Sequence, residues 1–163
     1  MSAEGHSMVD DRRTLLLLNI TIPHHANFSV KTSTSYHLQG EIIRLEDDGT
    51  IAFDVEHNPE NQPIAGHELV DLGPVKVDGI GRISSVEFTH RTRGRSFWEL
   101  QLDHEHRGSR TDAIRVRYLV PVEDLDVPSN TNFRLGSRIG LIGYVVSLGR
   151  DGAVMTVQVG PFA

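Results

Sequence analysis

The stretch Leu135–Val159, LGSRIGLIGYVVSLGRDGAVMTVQV, carries the pattern that decides the fold. Apolar residues alternate with small or polar ones from Ile139 to Leu148, and a second apolar run extends from Ala153 to Val159. Alternation with a period of two residues is typical of a β-strand with one buried face. The Asp151-Gly152 dipeptide between the two runs tolerates the positive φ angles of a tight turn. The stretch therefore predicts a β-hairpin.

The period of a β-strand recurs through most of the chain. The segments that show it are short, rich in β-branched residues and separated by Gly, Pro, Asn or Asp. They are Leu15–Ile22, Tyr36–Leu45, Thr50–Val55, Val75–Phe88, Phe97–Leu102, Ile114–Val120, Ile139–Leu148 and Ala153–Val159. Only Val122–Asn130 has the composition of a short helical turn. The sequence therefore predicts an all-β chain.

Two segments of the chain are similar to each other. LQGEIIRLEDDGTI (Leu38–Ile51) aligns without a gap to LIGYVVSLGRDGAV (Leu141–Val154). They share two leucines, the first glycine, two β-branched positions and the Asp-Gly dipeptide. An internal repeat would explain the similarity, and so would convergence, because hairpins with Asp-Gly turns arise easily.

From about residue 73 onward, the order of the predicted strands is that of an OB-fold. A long first strand, VKVDGIGRISSVEF, is followed by FWELQL and AIRVRYLV, then by a short link and the closing hairpin. Five strands with a link between the third and the fourth form the OB-fold, a small Greek-key barrel. The glycines of the first strand suit the bending that closes such a barrel.

The closing segment LGSRIGLIGYVVSLGRDGAVMTVQV also resembles the last hairpin of bacterial-type single-stranded DNA-binding proteins. The resemblance covers about residues 73–160, and it implies an OB-fold that binds single-stranded DNA. Residues 14–72 have no counterpart in it, so we expect an added β layer, a second small barrel or part of another all-β fold such as a jelly roll. We expect residues 1–13 to be a flexible N-terminus and residues 14–163 to form a single β-rich domain.

Composition restricts the class of protein. The chain has 163 residues, enough for one domain with a substantial core. It contains no cysteine, which excludes disulfides and thiolate chemistry and fits a reducing compartment. The apolar run Leu15–Leu18 is far shorter than a signal core or a membrane span. We therefore expect an intracellular protein, in cytoplasm or nucleus, without a membrane partner.

Charge is distributed unevenly along the chain, whose formal net charge is -6. Glu41–Asp78 contains ten acidic and two basic residues, whereas Arg82–Arg117 contains eight arginines and five acidic residues. Arginine binds phosphate through two parallel hydrogen bonds and stacks on planar groups. The basic segment is therefore where we look for a binding surface.

The segment HRTRGRSFWELQLD (His90–Asp103) combines cations with aromatic residues. Arg91, Arg93 and Arg95 are expected at the tip of the hairpin that joins the first two strands of the OB-fold, a loop that often binds oligonucleotides. Alternation places Trp98 on the apolar face of the second strand, so we expect it to pack in the core. Phe97 falls on the opposite face and is the better candidate for an exposed platform on which bases stack.

The third strand has a cationic face. Arg115 and Arg117 alternate with apolar residues, and they would share a surface with Phe97 if the second and third strands pair. Aromatic rings together with guanidinium groups are the composition that binds single strands. Tyr144 in the closing hairpin and Trp98 are further candidates for stacking. In the alternative interpretation, Arg115 and Arg117 only balance Glu99 across the strands.

Catalytic and metal-binding patterns are weak. Asp103, His104, Glu105 and His106 are adjacent, but no spacing rule supplies a further ligand, so we expect a solvated loop rather than a metal site. No nucleophile, phosphate-loop or metalloprotease motif occurs. We therefore predict a protein that is not an enzyme and has no cofactor.

Two functions of different classes remain. The first is a non-enzymatic module that binds single-stranded DNA or RNA. The second is a structural or protein-interaction subunit, either an accessory partner or a self-assembling β protein, with a homo-oligomer or a protein partner in either case. A ligand-binding jelly roll would need a concave aromatic site, and the sequence does not indicate one.

Overall fold

The computed structural model describes residues 2–9, 12–22, 31, 34, 36–46, 50–56, 61–63, 75–90, 96–105, 113–122, 131–148 and 155–160. These residues form β1 (Ser2–Val9), β2 (Arg12–Thr21), β3 (Tyr36–His37), β4 (Gly40–Leu45), β5 (Ile51–Val55), β6 (Gln62–Pro63), β7 (Lys76–His90), β8 (Ser96–His104), β9 (Ile114–Pro121), β10 (Arg138–Leu148) and β11 (Met155–Val159). The described residues contain no helix, which confirms the all-β prediction. The segment expected to form a helical turn lies almost entirely outside them.

Strands β7 to β11 close into a barrel. β7 pairs with β8, and β8 pairs with β9, in antiparallel fashion. β9 pairs in parallel with β11, which pairs with β10, and β10 returns to β7. The ring order β10-β11-β9-β8-β7 is the strand order of the OB-fold. The OB-like barrel predicted for the second half of the chain is therefore confirmed.

The barrel encloses the apolar face of each strand. The residues that form its buried core are Ile83, Leu100, Leu102, Val116, Tyr118, Val120, Val145, Met155 and Val157. They alternate with outward-facing residues along the strands, as a period of two residues requires. Full burial of each such side chain contributes about 1.5–3 kcal/mol, so this face stabilises the barrel.

The first part of the chain forms a four-stranded sheet in the order β1-β2-β5-β4. We call it the N-terminal sheet. Its strand β1 differs from the flexible N-terminus expected for residues 1–13, because Ser2–Val9 pair along their whole length with β2. The sequence SAEGHSMV has no strand period of its own. The segment is extended because it pairs with the leucine-rich β2, and a pairing of this kind is not visible in its own periodicity.

The N-terminal sheet repeats the topology of four barrel strands. In both units an antiparallel hairpin, β1-β2 or β8-β9, is followed by a parallel pairing to the last strand of a second hairpin. That second hairpin, β4-β5 or β10-β11, has a register shift at the same aligned position. The shifts lie between Ile42 and Arg44 and between Val145 and Ser147. Convergence of single hairpins would not produce this agreement, which favours internal repetition.

A pair of aligned glycines supports the same interpretation. A Cβ atom at Gly40 would collide with the backbone carbonyl of Asp54, and one at Gly143 would collide with that of Gln158. Each glycine allows its strand to approach the next strand of its hairpin closely. No strand in the described part of the N-terminal sheet corresponds to β7, so this sheet is open where the barrel is closed.

The two units pack against each other. Ile42 and Leu45 of β4 contact the apolar core of the barrel, β4 approaches β9, and β1 approaches β10. The N-terminal sheet therefore packs against the barrel. No helix in the described ranges is both long and apolar enough to span a bilayer.

Candidate nucleic-acid interface

The predicted arginines of the third barrel strand lie on the outer face of β9. Arg115 is opposite Asp103 of β8, and Arg117 is opposite Gln101. The Arg115 Nε atom donates a hydrogen bond of 3.0 Å to the Asp103 carboxylate. An exposed pair of this kind contributes at most about 1 kcal/mol, so it leaves the guanidinium group available to an anion.

Arg117 borders a shallow depression on the outer face of β7, β8 and β9. Its other lining residues are Ser85, Glu87, Glu99, Leu100 and Gln101. Glu87 is directly opposite Glu99 in the register. The depression is thus polar and mixed in charge, and its acidic side would repel phosphate. This part of the surface favours the interpretation in which the arginines balance neighbouring carboxylates.

Phe97 is buried, which differs from the exposed platform expected for it. Its side chain lies on the outer face of β8, yet it is only 7% exposed. Leu119 and Pro121, on the same outer face of β9, are buried as well. Phe97 is therefore not available as a stacking platform, and it does not share an open face with Arg115 and Arg117.

Trp98 faces the barrel interior, as strand alternation predicted. Its ring packs against Phe88 and Phe133, with centroid distances of 4.9 Å and 5.6 Å. The indole Nε1 atom is buried and has no hydrogen-bond acceptor among the described residues. Phe88 is 38% exposed, so it is the member of this cluster that a ligand can reach. The sequence did not single out Phe88.

The predicted arginine loop lies outside the described residues. Arg91, Arg93 and Arg95 fall between the end of β7 at His90 and the start of β8 at Ser96. β7 and β8 pair up to these two residues, so the loop joins neighbouring strands of the barrel, as predicted from the sequence.

The register of the barrel brings together charged residues from four strands. Arg82 of β7 is opposite Arg138 of β10 on one side and opposite Asp103 of β8 on the other. Asp103 is in turn opposite Arg115 of β9. We call Arg138, Arg82, Asp103 and Arg115 the arginine row. Because neighbouring strands are about 4.8 Å apart, the row spans about 14 Å of the barrel surface.

The cations of the arginine row outnumber its single carboxylate. Like charges directly opposite each other are destabilising, and neither Arg82 nor Arg138 has an ion pair within the described part of the chain. The Arg82 Nη1 atom donates instead to the Gly136 carbonyl, at 2.7 Å. Gly136 has a φ of 80° and lies in the turn that also carries the exposed Arg134. The arrangement favours an anion at this site.

Tyr144 lies on a different part of the barrel from Arg115 and Arg117. It is half-buried on the outer face of β10, opposite Lys76 of β7 and Gln158 of β11. Its position is on the same outer face of the β7-β10 pair as Arg82 and Arg138. The structure therefore associates Tyr144 with two arginines that the sequence did not single out.

His104 is held by two hydrogen bonds at one end of the barrel. Its Nδ1 atom is 3.1 Å from the Ile80 carbonyl, and its Nε2 atom is 3.0 Å from the Tyr118 hydroxyl. A carbonyl only accepts, so Nδ1 carries the proton and Nε2 accepts from Tyr118. Burial raises the pKa of Tyr118, as does the nearby charge of Asp78, so the hydroxyl stays protonated. Both ring nitrogens of His104 are thus engaged.

This arrangement does not resemble a metal site. His106, the other member of the predicted pair, lies outside the described residues. Among those that are described, no group of three or more His, Asp or Glu side chains could hold a metal ion. A metal at His104 would have to displace Ile80 or Tyr118.

We expect His104 to make the stability depend on pH. Burial holds its pKa below the ordinary value of 6.5, although the hydrogen bond to Ile80 and the charge of Asp103 raise it. The unfolded chain therefore binds a proton first, and the free energy of unfolding falls as the pH decreases below 6.5 until the folded pKa is passed. Urea denaturation of wild type and His104→Gln between pH 8 and pH 4.5 measures this. If the difference in the free energy of unfolding between wild type and His104→Gln is the same at every pH, the prediction that His104 is buried as a neutral imidazole is contradicted.

No protein-family model and no curated protein matches the chain. The fold is similar to that of a deletion mutant of the single-stranded DNA-binding protein from Thermus aquaticus, with a TM-score of 0.57 and 12% sequence identity, covering 100% of this chain and 81% of that chain. It is also similar to the dimeric N-terminal domain of PriB from Thermoanaerobacter tencongensis, with a TM-score of 0.37 and 20% identity, covering 53% of this chain and 97% of that chain. The first similarity confirms the predicted resemblance at the level of the fold.

Proposed function

We propose that this protein is a non-enzymatic OB-fold module that binds single-stranded DNA or RNA. The observation that carries the proposal is the arginine row, in which three arginines from β10, β7 and β9 and one aspartate from β8 occupy directly opposed register positions. The similarity to a single-stranded DNA-binding protein supports it at the level of the fold. Arg117 lies on the same face of β9 as Arg115, but it borders Glu87 and Glu99, so it is not part of the proposed phosphate-binding surface.

Phosphate groups are the ligand that this surface fits best. Arginine binds phosphate through two parallel hydrogen bonds, and each neutralised phosphate releases condensed counterions. Asp103 is already bound to Arg115, so its charge is partly compensated before a ligand arrives. The loop between β7 and β8 would bind further phosphates of the same nucleic-acid strand through Arg91, Arg93 and Arg95. Phe88, near the end of β7, is the aromatic group available to a base.

The double variant Arg82→Ala/Arg138→Ala tests the arginine row. Each lost phosphate contact should reduce the slope of log affinity against log salt by about 0.7 for a single strand, so we expect a decrease of about 1.4. Fluorescence anisotropy with a labelled oligothymidylate, measured from low to moderate salt, gives the slope. Arg44→Ala is the control, because Arg44 is an exposed arginine of the N-terminal sheet that pairs with Glu46. No measurable binding by wild type at low salt, or an unchanged slope in the double variant, contradicts the proposal.

The arginine loop has a separate test. Trp98 is the only tryptophan of the chain, and its ring contacts Phe88 near the end of β7. Binding at the loop should therefore change its fluorescence. Replacing Arg91, Arg93 and Arg95 together by glutamate should weaken binding and abolish that change. An unaltered affinity would remove the loop from the interface.

The alternative function is a structural or protein-interaction subunit. The observation that favours it is the exposure of Ile80 and Ile142, which are 64% and 56% accessible on neighbouring strands. A homo-oligomer held by the opposite charges of the acidic and basic segments should dissociate as salt increases. Light scattering at two salt concentrations distinguishes this function from nucleic-acid binding by a monomer.

A further inference from the structure

Gly140 is a glycine for which the barrel itself provides no reason. It lies on the exposed outer face of β10, and its φ is not in the left-handed region. A Cβ atom built at Gly140 would meet only the Ile80 Cγ1 atom, at an ordinary contact distance of 3.6 Å. A β-branched residue would therefore fit, and it would suit a strand better than glycine does.

The other described glycines of the barrel strands are required by their neighbours. A Cβ atom at Gly79 would lie 2.9 Å from the ring of His104, and one at Gly81 would lie 3.0 Å from Leu102. At Gly143 it would collide with the carbonyl of Gln158. Close packing within the fold explains these three glycines. A bulge does not explain Gly140, because the register of β10 with β7 is unbroken there. A bend of the strand and the close approach of something outside the fold are the other reasons for a strand glycine, and the surroundings of Gly140 favour the second.

The surroundings of Gly140 indicate what approaches. Ile80 is directly opposite on β7, and Ile142 follows two residues later on β10. Both isoleucines are more than half exposed. Arg138, two residues before Gly140, is opposite Arg82 in the arginine row. The site is thus a bare stretch of backbone bordered by two apolar side chains and adjoining two arginines. We call Gly140, Ile80 and Ile142 the platform.

We infer that the platform binds an unstacked base of the nucleic-acid strand whose phosphates contact Arg82 and Arg138. The inference rests on the proposed function. A base is flat and apolar on its faces, so it gains by packing on isoleucine side chains and on backbone that no Cβ obstructs. Bases of a duplex are stacked on one another, and their faces are not accessible. The platform therefore provides a reason for a preference for single strands.

Charge argues against a second copy of the chain as the occupant. In a two-fold interface the same surface meets itself, so like charges of the two copies approach one another. The outer face of the β7-β10 pair carries Lys76, Arg82 and Arg138 but only one carboxylate, that of Asp78. Arg134 adds a further cation in the adjoining turn. A phosphate backbone neutralises this surface, whereas a second copy doubles its charge.

Gly140→Val tests the platform by filling it. The fold should be retained, because the added atoms point to solvent. We expect the affinity for an oligothymidylate to decrease about tenfold, the size of effect that one lost base contact produces. An oligonucleotide of the same length with abasic sites has the same phosphates and no bases, so wild type and Gly140→Val should bind it equally.

Ile80→Ser/Ile142→Ser should give the same pattern by removing the apolar border. Leu135→Ser is the matched control, because Leu135 is 68% exposed but lies in the turn before β10 rather than on the platform. It should bind both oligonucleotides as wild type does.

Five results would overturn the inference. One is wild-type affinity of Gly140→Val for oligothymidylate. Another is an equal loss of affinity for both oligonucleotides, which would assign the effect to the phosphate contacts. A change of mass in light scattering of Gly140→Val would assign the platform to an interface between copies. If wild type binds neither oligonucleotide at low salt, the proposed function fails as well. If wild type binds both with equal affinity, the platform alone is refuted.

Discussion

Replacing Phe97 by alanine is expected to destabilise the protein by about 3–5 kcal/mol, the range for removing a buried phenylalanine ring. The ring is 7% exposed on the outer face of β8. Removal leaves a cavity that its surroundings can fill only in part. Urea denaturation followed by circular dichroism measures the effect as a lower midpoint.

Phe88→Ala is the matched control for Phe97→Ala. Phe88 is also a strand phenylalanine, but it is 38% exposed, so its loss should cost less stability. Phe88→Ala should lose more oligonucleotide affinity than Phe97→Ala, because Phe88 is accessible to a base and Phe97 is not. If the two variants are equally stable and Phe97→Ala loses more oligonucleotide affinity, Phe97 is an exposed stacking residue, as the sequence predicted.

Replacing Gly143 by valine is expected to be the most damaging single change in the barrel strands. The Cβ atom would collide with the Gln158 carbonyl of the paired strand β11 and come within 2.8 Å of the Val157 side chain. Overpacking of side chains alone costs about 1–3 kcal/mol, and displacement of a paired strand adds to it. We therefore expect a loss of about 3 kcal/mol or more, or a protein that does not fold. A thermal scan would show a decrease of about 10 °C for a chain of this size.

Gly140→Val provides the comparison for Gly143→Val. The same substitution is made three residues earlier on the same strand, where the added atoms meet only Ile80 at a contact distance. It should leave the midpoint unchanged or raise it slightly, since valine favours extended backbone. If the two variants have equal thermal unfolding midpoints, the close approach of β10 and β11 at Gly143 is contradicted. Gly40→Val, at the aligned position of the N-terminal sheet, should resemble Gly143→Val because it collides with the Asp54 carbonyl.

Much of the fold could be predicted because strand periodicity is local. The apolar alternation in Ile139–Leu148 and Ile114–Val120 depends only on neighbouring residues, and both segments form strands within one residue of the predicted bounds. The OB strand order followed from the number and lengths of the segments. Strand β1 was missed for the complementary reason, since SAEGHSMV has no alternation and is extended because β2 pairs with it.

The candidate site was only partly predictable. Arg115 and Arg117 were placed on one outward face because alternation within β9 requires it. Arg82 and Arg138 were not recognised as a pair, although both are visible in the sequence. They are 56 positions apart, and only the register of β7 with β10 places them opposite each other. Phe97 was assigned to the correct face of β8, but its burial depends on residues outside the strand and could not be read from its neighbours.

The sequence by itself therefore determined the all-β class, the order of the barrel strands and the face to which most side chains point, because each of these depends on a period of two residues within one segment. The tertiary structure alone decided which charges adjoin and which outward residues are covered. Register and the packing of the two sheets are long-range quantities: a shift of one residue between β7 and β10 would separate Arg82 from Arg138 without altering either strand. The arginine row, the burial of Phe97 and the bare backbone at Gly140 all follow from that long-range geometry.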